Sequence, residues 1–171
     1  MSGNILVAYA TATGATEGVA KAIGQALGDK GATVDVHPAK DVSDVGDYRA
    51  VIVGSGIRAG QVYADAVAFL ERHQDALSKI PVAYFLVCLT MKEDTEETRC
   101  TVNAYLDPVR DKVPKIEPVD VGLFAGAMDY KKLPLPLRLI MKGMKSPEGD
   151  FREWDTIRTW TDGVYAALLR A

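Results

Sequence analysis

Between Tyr9 and Ala20 the chain carries hydroxyls at Thr11, Thr13 and Thr16, separated by Ala12, Gly14 and Ala15. A short apolar run, Ile5-Leu6-Val7-Ala8, precedes this stretch and a helical pattern follows it. A strand, a hydroxyl-rich turn and a helix start together make an anion site. The first amides of a helix have no internal partner and point outward, and the dipole adds roughly half a positive charge there. Gly14 lets backbone approach a ligand closely. No Lys or Arg lies between Tyr9 and Ala20, so such a loop would hold its anion by neutral donors alone. The alternative for the same residues is a Thr-rich turn with an ordinary Thr cap.

The missing cation separates this loop from that of a nucleotide triphosphatase. A P-loop reads G-x-x-x-x-G-K-[ST], its Lys reaching the terminal phosphates. Here three residues stand between Gly14 and Gly18, and Val19 follows. A single terminal phosphate, such as that of FMN, suits the loop better. At this point the chain resembles the flavodoxin family, whose pattern runs aromatic-x-[ST]-x-x-[AGC]-x-T-x-x-x-A. Tyr9, Thr11, Gly14, Thr16 and Ala20 fill it in register. The resemblance implies an FMN phosphate held by Thr11, Ala12, Thr13, Gly14, Ala15 and Thr16.

The elements that must position this loop alternate between strand and helix patterns. Asn4 to Ala8 is a continuous apolar run, as in a strand buried on both faces. Val19, Ala20, Ile23, Ala26 and Leu27 follow helical spacing, with Gly28 or Gly31 as the stop. Further strands are expected at Thr33 to His37, at Tyr48 to Val53 closed by Gly54, at Pro81 to Val87, and at Val119 to Ala127. Helices are expected on Ala66, Phe69, Leu70, His73 and Leu77, on Val102, Leu106 and Val109, and on Trp154 to Leu168. Five strands alternating with helices predict an α/β fold, a parallel sheet covered on both faces. The resemblance makes it a flavodoxin-like three-layer sandwich with strand order 2-1-3-4-5. Ligands in such sheets sit beyond the carboxyl ends of the strands.

Those ends supply the other candidate segments. Ser55, Gly56, Ile57, Arg58, Ala59 and Gly60 follow the third strand in a G-x-G-x-x-x-G spacing, which is not a dinucleotide fingerprint. The resemblance places the isoalloxazine edge here. Arg58 is the catalytic candidate, because a guanidinium near N1 stabilises the negative charge of a reduced flavin; its alternative is a solvated surface Arg. Cys88, Leu89 and Thr90 end the fourth strand, where the family closes over the other side of the ring. Electron-carrier flavodoxins usually stack an aromatic from each of these two loops. Ile57 stands in the first, and Cys88 to Thr98 has no aromatic, which predicts an open flavin face unless Tyr63 or Tyr130 supplies a ring. Cys88 reads better as a small buried residue than as a redox group.

The fifth strand runs into Met128 and Asp129, and roughly twenty residues then separate it from the last helix, long for an α/β connection. Lys131 to Lys145 holds five basic residues and no acid, with Leu133, Leu135, Leu137, Leu139, Ile140, Met141 and Met144 as apolar bulk. Such a segment lies on an anionic membrane or an apolar partner, or packs on the domain with its charges in water. Gly126-Ala-Met-Asp-Tyr, Leu137-Arg-Leu-Ile-Met-Lys-Gly-Met144, Gly149-Asp150, Trp154-Asp155 and the Ile57-Arg58 pair resemble the flavodoxin-type menaquinone-dependent protoporphyrinogen oxidases. The resemblance covers essentially the whole chain. It implies one domain over 1–171 with an insertion at about 129–150.

Composition bounds the rest. At 171 residues, with 48% hydrophobic and 25% charged residues, the chain is an ordinary globular sequence. A net charge of -3 gives no reason to expect nucleic acid. Two cysteines are too few for a disulfide framework. No signal-type segment or run of ~20 apolar residues is present, so the expected location is cytoplasmic, with peripheral contact at the inner face of the membrane through 131–145. No metal-ligand spacing is found, and His37 and His73 read as structural. Two functions follow. One is an FMN-dependent oxidoreductase passing electrons from a protoporphyrinogen-like substrate to a quinone. The other is a flavodoxin carrier moving single electrons between redox protein partners. Carriers usually present a strongly acidic rim, which this charge balance does not suggest.

Overall fold

The computed structural model describes residues 4–145 and 148–171. Strand β1 (Asn4–Ala10) leads into helix α1 (Ala15–Asp29), then β2 (Val34–Pro38), β3 (Tyr48–Arg58) and a short β4 (Gln61–Val62). Helices α2 (Ala64–Arg72) and α3 (Gln74–Leu77) precede β5 (Val82–Cys88), followed by α4 (Glu96–Ala104) and α5 (Asp107–Lys112). The chain then forms β6 (Val121–Ala125), β7 (Ala127–Met128), α6 (Leu135–Gly143), β8 (Gly149–Asp150) and α7 (Trp154–Arg170).

The main sheet has the order β2-β1-β3-β5-β6, its path strands parallel, with β4 paired antiparallel to β3. Counting the five parallel strands alone, this is the expected 2-1-3-4-5. Alternation along each strand divides the core in two. Leu6, Ala8, Val51, Val53, Tyr84 and Leu86 face the layer holding Phe69, Leu77, Val102 and Val109 of α2 to α5. Ile5, Val7, Ile52 and Phe85 face Val19, Ile23 and Leu27 of α1 and Ile157, Val164 and Leu168 of α7. The strands are apolar on both faces because helices cover both.

Three boundaries depart from expectation. Gly54 does not close the third strand, which continues to Arg58. Gly54 pairs with Tyr9 and Phe85, and Ser55 with Ala10 and Leu86. A Cβ on Gly54 would stand 1.9 Å from Cζ of Phe85, so this glycine makes room for a core ring within the sheet rather than turning the chain. The helix predicted through His73 breaks there into α2 and α3. The strand predicted over Val119 to Ala127 ends at Ala125, and β7 leaves the sheet to pair antiparallel with β8. Of the expected insertion at 129–150, positions 146–147 lie outside the described residues, as do positions 1–3 of the expected domain.

Candidate functional site

The turn between β1 and α1 is built to leave donors free. Gly14 caps the helix in a left-handed conformation, φ 93°, and no side chain caps it. The ordinary Thr cap therefore does not form. The first bond of the helix is Gly18 N–H to Gly14 O at 3.1 Å, and the amides of Ala15, Thr16 and Glu17 have no acceptor among the described residues. Thr11 Oγ1 accepts the Gly14 amide at 3.0 Å, which folds the loop back on itself. The hydroxyl proton of Thr11 stays available, since a hydroxyl both donates and accepts. Thr13 is half-buried and Thr16 is buried at 2% exposure.

One cation approaches the loop from outside its own segment. Arg152, just after β8, donates from Nη1 to the carbonyl of Ala15 at 3.3 Å, across 137 positions of sequence. Its Nε and Nη2 grip Asp150 at 2.9 and 2.7 Å, and its guanidinium lies 4.8 Å from the Trp154 ring centroid. The pair holds the Asp150 carboxyl below the usual carboxylate range. Arg152 is not on the wall of the cleft beside the loop, so it acts from behind, tying the β8 segment to the first turn of α1.

That cleft, about 290 Å³, lies at the carboxyl ends of β1, β3 and β5. Thr11, Ala12, Thr13, Ala15 and Thr16 form one side, and Gly56, Ile57, Arg58, Ala59 and Gly60 the next. Cys88, Leu89, Thr90 and Met128 also line it. Gly14, Ser55 and Asp129 do not line it. Gly14 shapes the loop by its backbone. The Ser55 hydroxyl is consumed internally, donating to Gly56 O at 2.6 Å and accepting the Tyr63 amide at 3.0 Å. Asp129 turns aside to accept the Lys131 amide at 2.9 Å.

Close approach is required at Gly56, where a Cβ would meet Tyr63 Cε2 at 2.9 Å and Thr16 Oγ1 at 3.2 Å. Arg58 is exposed, and its guanidinium lies 5.7 Å from the Tyr63 ring centroid. Burial pushes the Tyr63 hydroxyl up against the opposing pull of Arg58. Burial likewise pushes the Cys88 thiol up, which keeps it a neutral wall atom rather than a thiolate nucleophile.

Tyr63 reaches the cleft, as the sequence allowed, while Tyr130 is not on its wall. The sequence reading missed Tyr105, which enters from the end of α4. It also left open which face of the basic segment turns inward. Leu133 of that segment and Leu137 and Met141 of α6 line the cleft, four residues apart, while Leu135, Leu139, Ile140 and Met144 are exposed at 62, 61, 57 and 72%. Arg138 anchors the segment, donating from Nη2 to the carbonyls of Lys131 and Leu133, each at 3.2 Å. The apolar spacing itself was the available signal for the inner face.

A family model described as a flavodoxin domain matches residues 6–155. The chain belongs to the flavodoxin domain family. FMN is the cofactor of this family, and a capless helix start beside a glycine-floored cleft fits its phosphate and ring. A protoporphyrinogen IX dehydrogenase [quinone] of Leishmania major is 29% identical over 175 residues, covering 95% of this chain and 74% of that protein. The protein of the same name from Escherichia coli K12 is 25% identical over 161 residues, covering 91% of this chain and 87% of its own length. The fold matches that of oxidised flavodoxin 2 from Bacillus cereus with a TM-score of 0.57, at 18% identity and 98% coverage of both chains.

Proposed function

We propose that this flavodoxin-family protein is an FMN-dependent oxidoreductase that passes electrons from a protoporphyrinogen-like substrate to a quinone. When bound, the flavin supplies the two-electron chemistry. The chain holds it, orients it and controls what reaches it. The free amides of Ala15, Thr16 and Glu17, with the hydroxyls of Thr11, Thr13 and Thr16, hold the phosphate. Gly56 admits the ring edge, and Arg58 places positive charge beside it, favouring a negatively charged reduced state.

The observation that carries the reading is the apolar wall made by Leu133, Leu137 and Met141. These side chains exclude water from the cleft and give an apolar acceptor a surface to pack against. The Cys88 to Met91 turn brings no ring to the cleft, which leaves space for a reacting molecule where carriers usually have an aromatic. The names of the two curated relatives agree with this choice of donor and acceptor. The outer face of α6 joins Leu135, Leu139, Ile140 and Met144 to the exposed Lys131, Lys132, Lys142 and Lys145. Such a face suits an anionic lipid surface, where each basic residue contributes ~1 kcal/mol, and where a quinone would be dissolved. No described helix is long and apolar enough to cross a membrane, so the contact would be peripheral.

A carrier of single electrons is the second reading, favoured by the full-length fold match to a flavodoxin. Steady-state oxidation of protoporphyrinogen with menaquinone, set beside reduction by NAD(P)H through a flavodoxin reductase, separates the two. Quinone-dependent turnover is expected. Rapid reduction by the reductase with no porphyrinogen oxidation would establish the carrier.

A further inference from the structure

On the other side of the wall made by Gly60 and Tyr105 the surface is hollowed again. A second groove, of about 200 Å³, shares Gly60 and Tyr105 with it. Val62, Val67, Pro108 and Val109 make the groove apolar, and Lys112 is the charged residue among those lining it. Other cations nearby are neutralised: Arg110 pairs with Asp107 at 3.1 Å and Lys115 with Asp75 at 2.8 Å. Lys112 makes no ion pair among the described residues, and neither does Arg58, which lies against the Tyr63 ring. The apolar groove thus carries a cation with no ion pair among the described residues, and it adjoins a cleft that has another, Arg58, on its wall.

Size gives the groove its purpose. Ligand sites commonly measure ~300–1,000 Å³, so a cleft of about 290 Å³ that holds a flavin ring has room for only part of a second large molecule. A macrocycle stacked on that ring must extend beyond the cleft. The apolar groove beyond the shared Tyr105 wall is the adjoining surface that could receive its rim. Carboxylates on the rim of the macrocycle would then need cations, because an unpaired charge against apolar walls is costly.

We propose that the Tyr105–Lys112 groove is a substrate subsite, in which the carboxylate-bearing edge of a tetrapyrrole packs over Tyr105 and pairs with the Lys112 ammonium. The subsite rests on the tetrapyrrole reading above. It makes Lys112 a specificity-determining residue that touches substrate but not flavin.

The test uses the full-length FMN-loaded protein and protoporphyrin IX as a stable probe, followed by fluorescence quenching. Lys112→Glu should weaken protoporphyrin IX binding about tenfold, because it exchanges an attractive charge-assisted contact for repulsion. Lys112→Arg should stay within about twofold of the native chain. The dimethyl ester of the porphyrin, with no carboxylate, should bind the native and Lys112→Glu proteins equally. FMN affinity and thermal melting check that the variants remain folded, as expected for an exposed side chain. Unchanged protoporphyrin IX binding in folded Lys112→Glu, or equal weakening of acid and ester, overturns the subsite while leaving the tetrapyrrole reading intact. A native protein that binds FMN but neither porphyrin overturns the tetrapyrrole reading, and the subsite with it.

Discussion

Gly56→Ala adds one methyl group at the floor of the cleft. Its carbon would lie 2.9 Å from Tyr63 Cε2 and 3.2 Å from both Tyr63 Cζ and Thr16 Oγ1. Non-bonded carbons prefer ~3.5–4.0 Å, so something must move by about half an ångström. Thr16 is buried at 2% exposure and begins a helix, so it yields little. Tyr63 is pinned at its amide by Ser55 Oγ, which leaves its ring to tip toward the open cleft. Overpacking of this kind costs ~1–3 kcal/mol. If the ring tips, the free protein avoids most of that cost, and FMN must restore it on binding. The expected result is an FMN dissociation constant raised by roughly 5- to 150-fold, with the melting point of the flavin-free protein nearly unchanged. Quenching of FMN fluorescence gives the affinity, and parallel melts with and without FMN give the partition. A native dissociation constant together with a flavin-free melting point lowered by ~2–12 °C would refute the argument, since the methyl would then strain the scaffold where no ring approaches.

Gly54→Ala should act on the scaffold alone. Its Cβ would stand 1.9 Å from Cζ of a fully buried Phe85, so a loss near or above ~3 kcal/mol is expected, read as a melting point at least ~6 °C lower. The two faces of α6 should separate by assay: Leu137→Ser with Met141→Ser raises the Michaelis constant for quinone, whereas Leu139→Ser with Ile140→Ser abolishes co-sedimentation with anionic vesicles and leaves quinone kinetics in detergent intact. His73 accepts from Arg72 Nε at 3.2 Å, and burial followed by the Arg72 charge lowers its pKa from 6.5. The unfolded chain therefore binds a proton that the folded one resists, so stability is complete above pH 6.5 and declines as pH falls toward the folded value. His73→Gln should flatten the melting-point slope over that window, and an identical slope would remove His73 as its source.

What could be read from the sequence was what lies close together in it. The hydroxyl-rich loop stands between two strongly patterned elements, so its place between β1 and α1 was legible. The buried strands β1 and β5 announced themselves as apolar runs. The glycines after Val53 were harder, because a glycine that turns a chain and one that admits Phe85 look alike until the neighbouring strand is in register. Tyr105 and Arg152 reach the site region from other elements, and no local signal could say which of many aromatic or basic residues would do so. For α6 the four-residue spacing of Leu133, Leu137 and Met141 showed a stripe, and the fold was needed to show what the stripe faces.

The long reach from Arg152 to the Ala15 carbonyl has a consequence for how the molecule is made. The loop after β1 leaves the ribosome well before the apolar wall and the Arg152 clasp, which lies 137 positions beyond Ala15. At ~5–20 residues per second, on the order of ten seconds pass between them. Throughout that interval a nascent chain offers half a binding site, which must be left empty or filled weakly. Tight cofactor loading thus belongs to a chain that has been made past Arg152, and a flavin bound there stabilises the folded form by mass action.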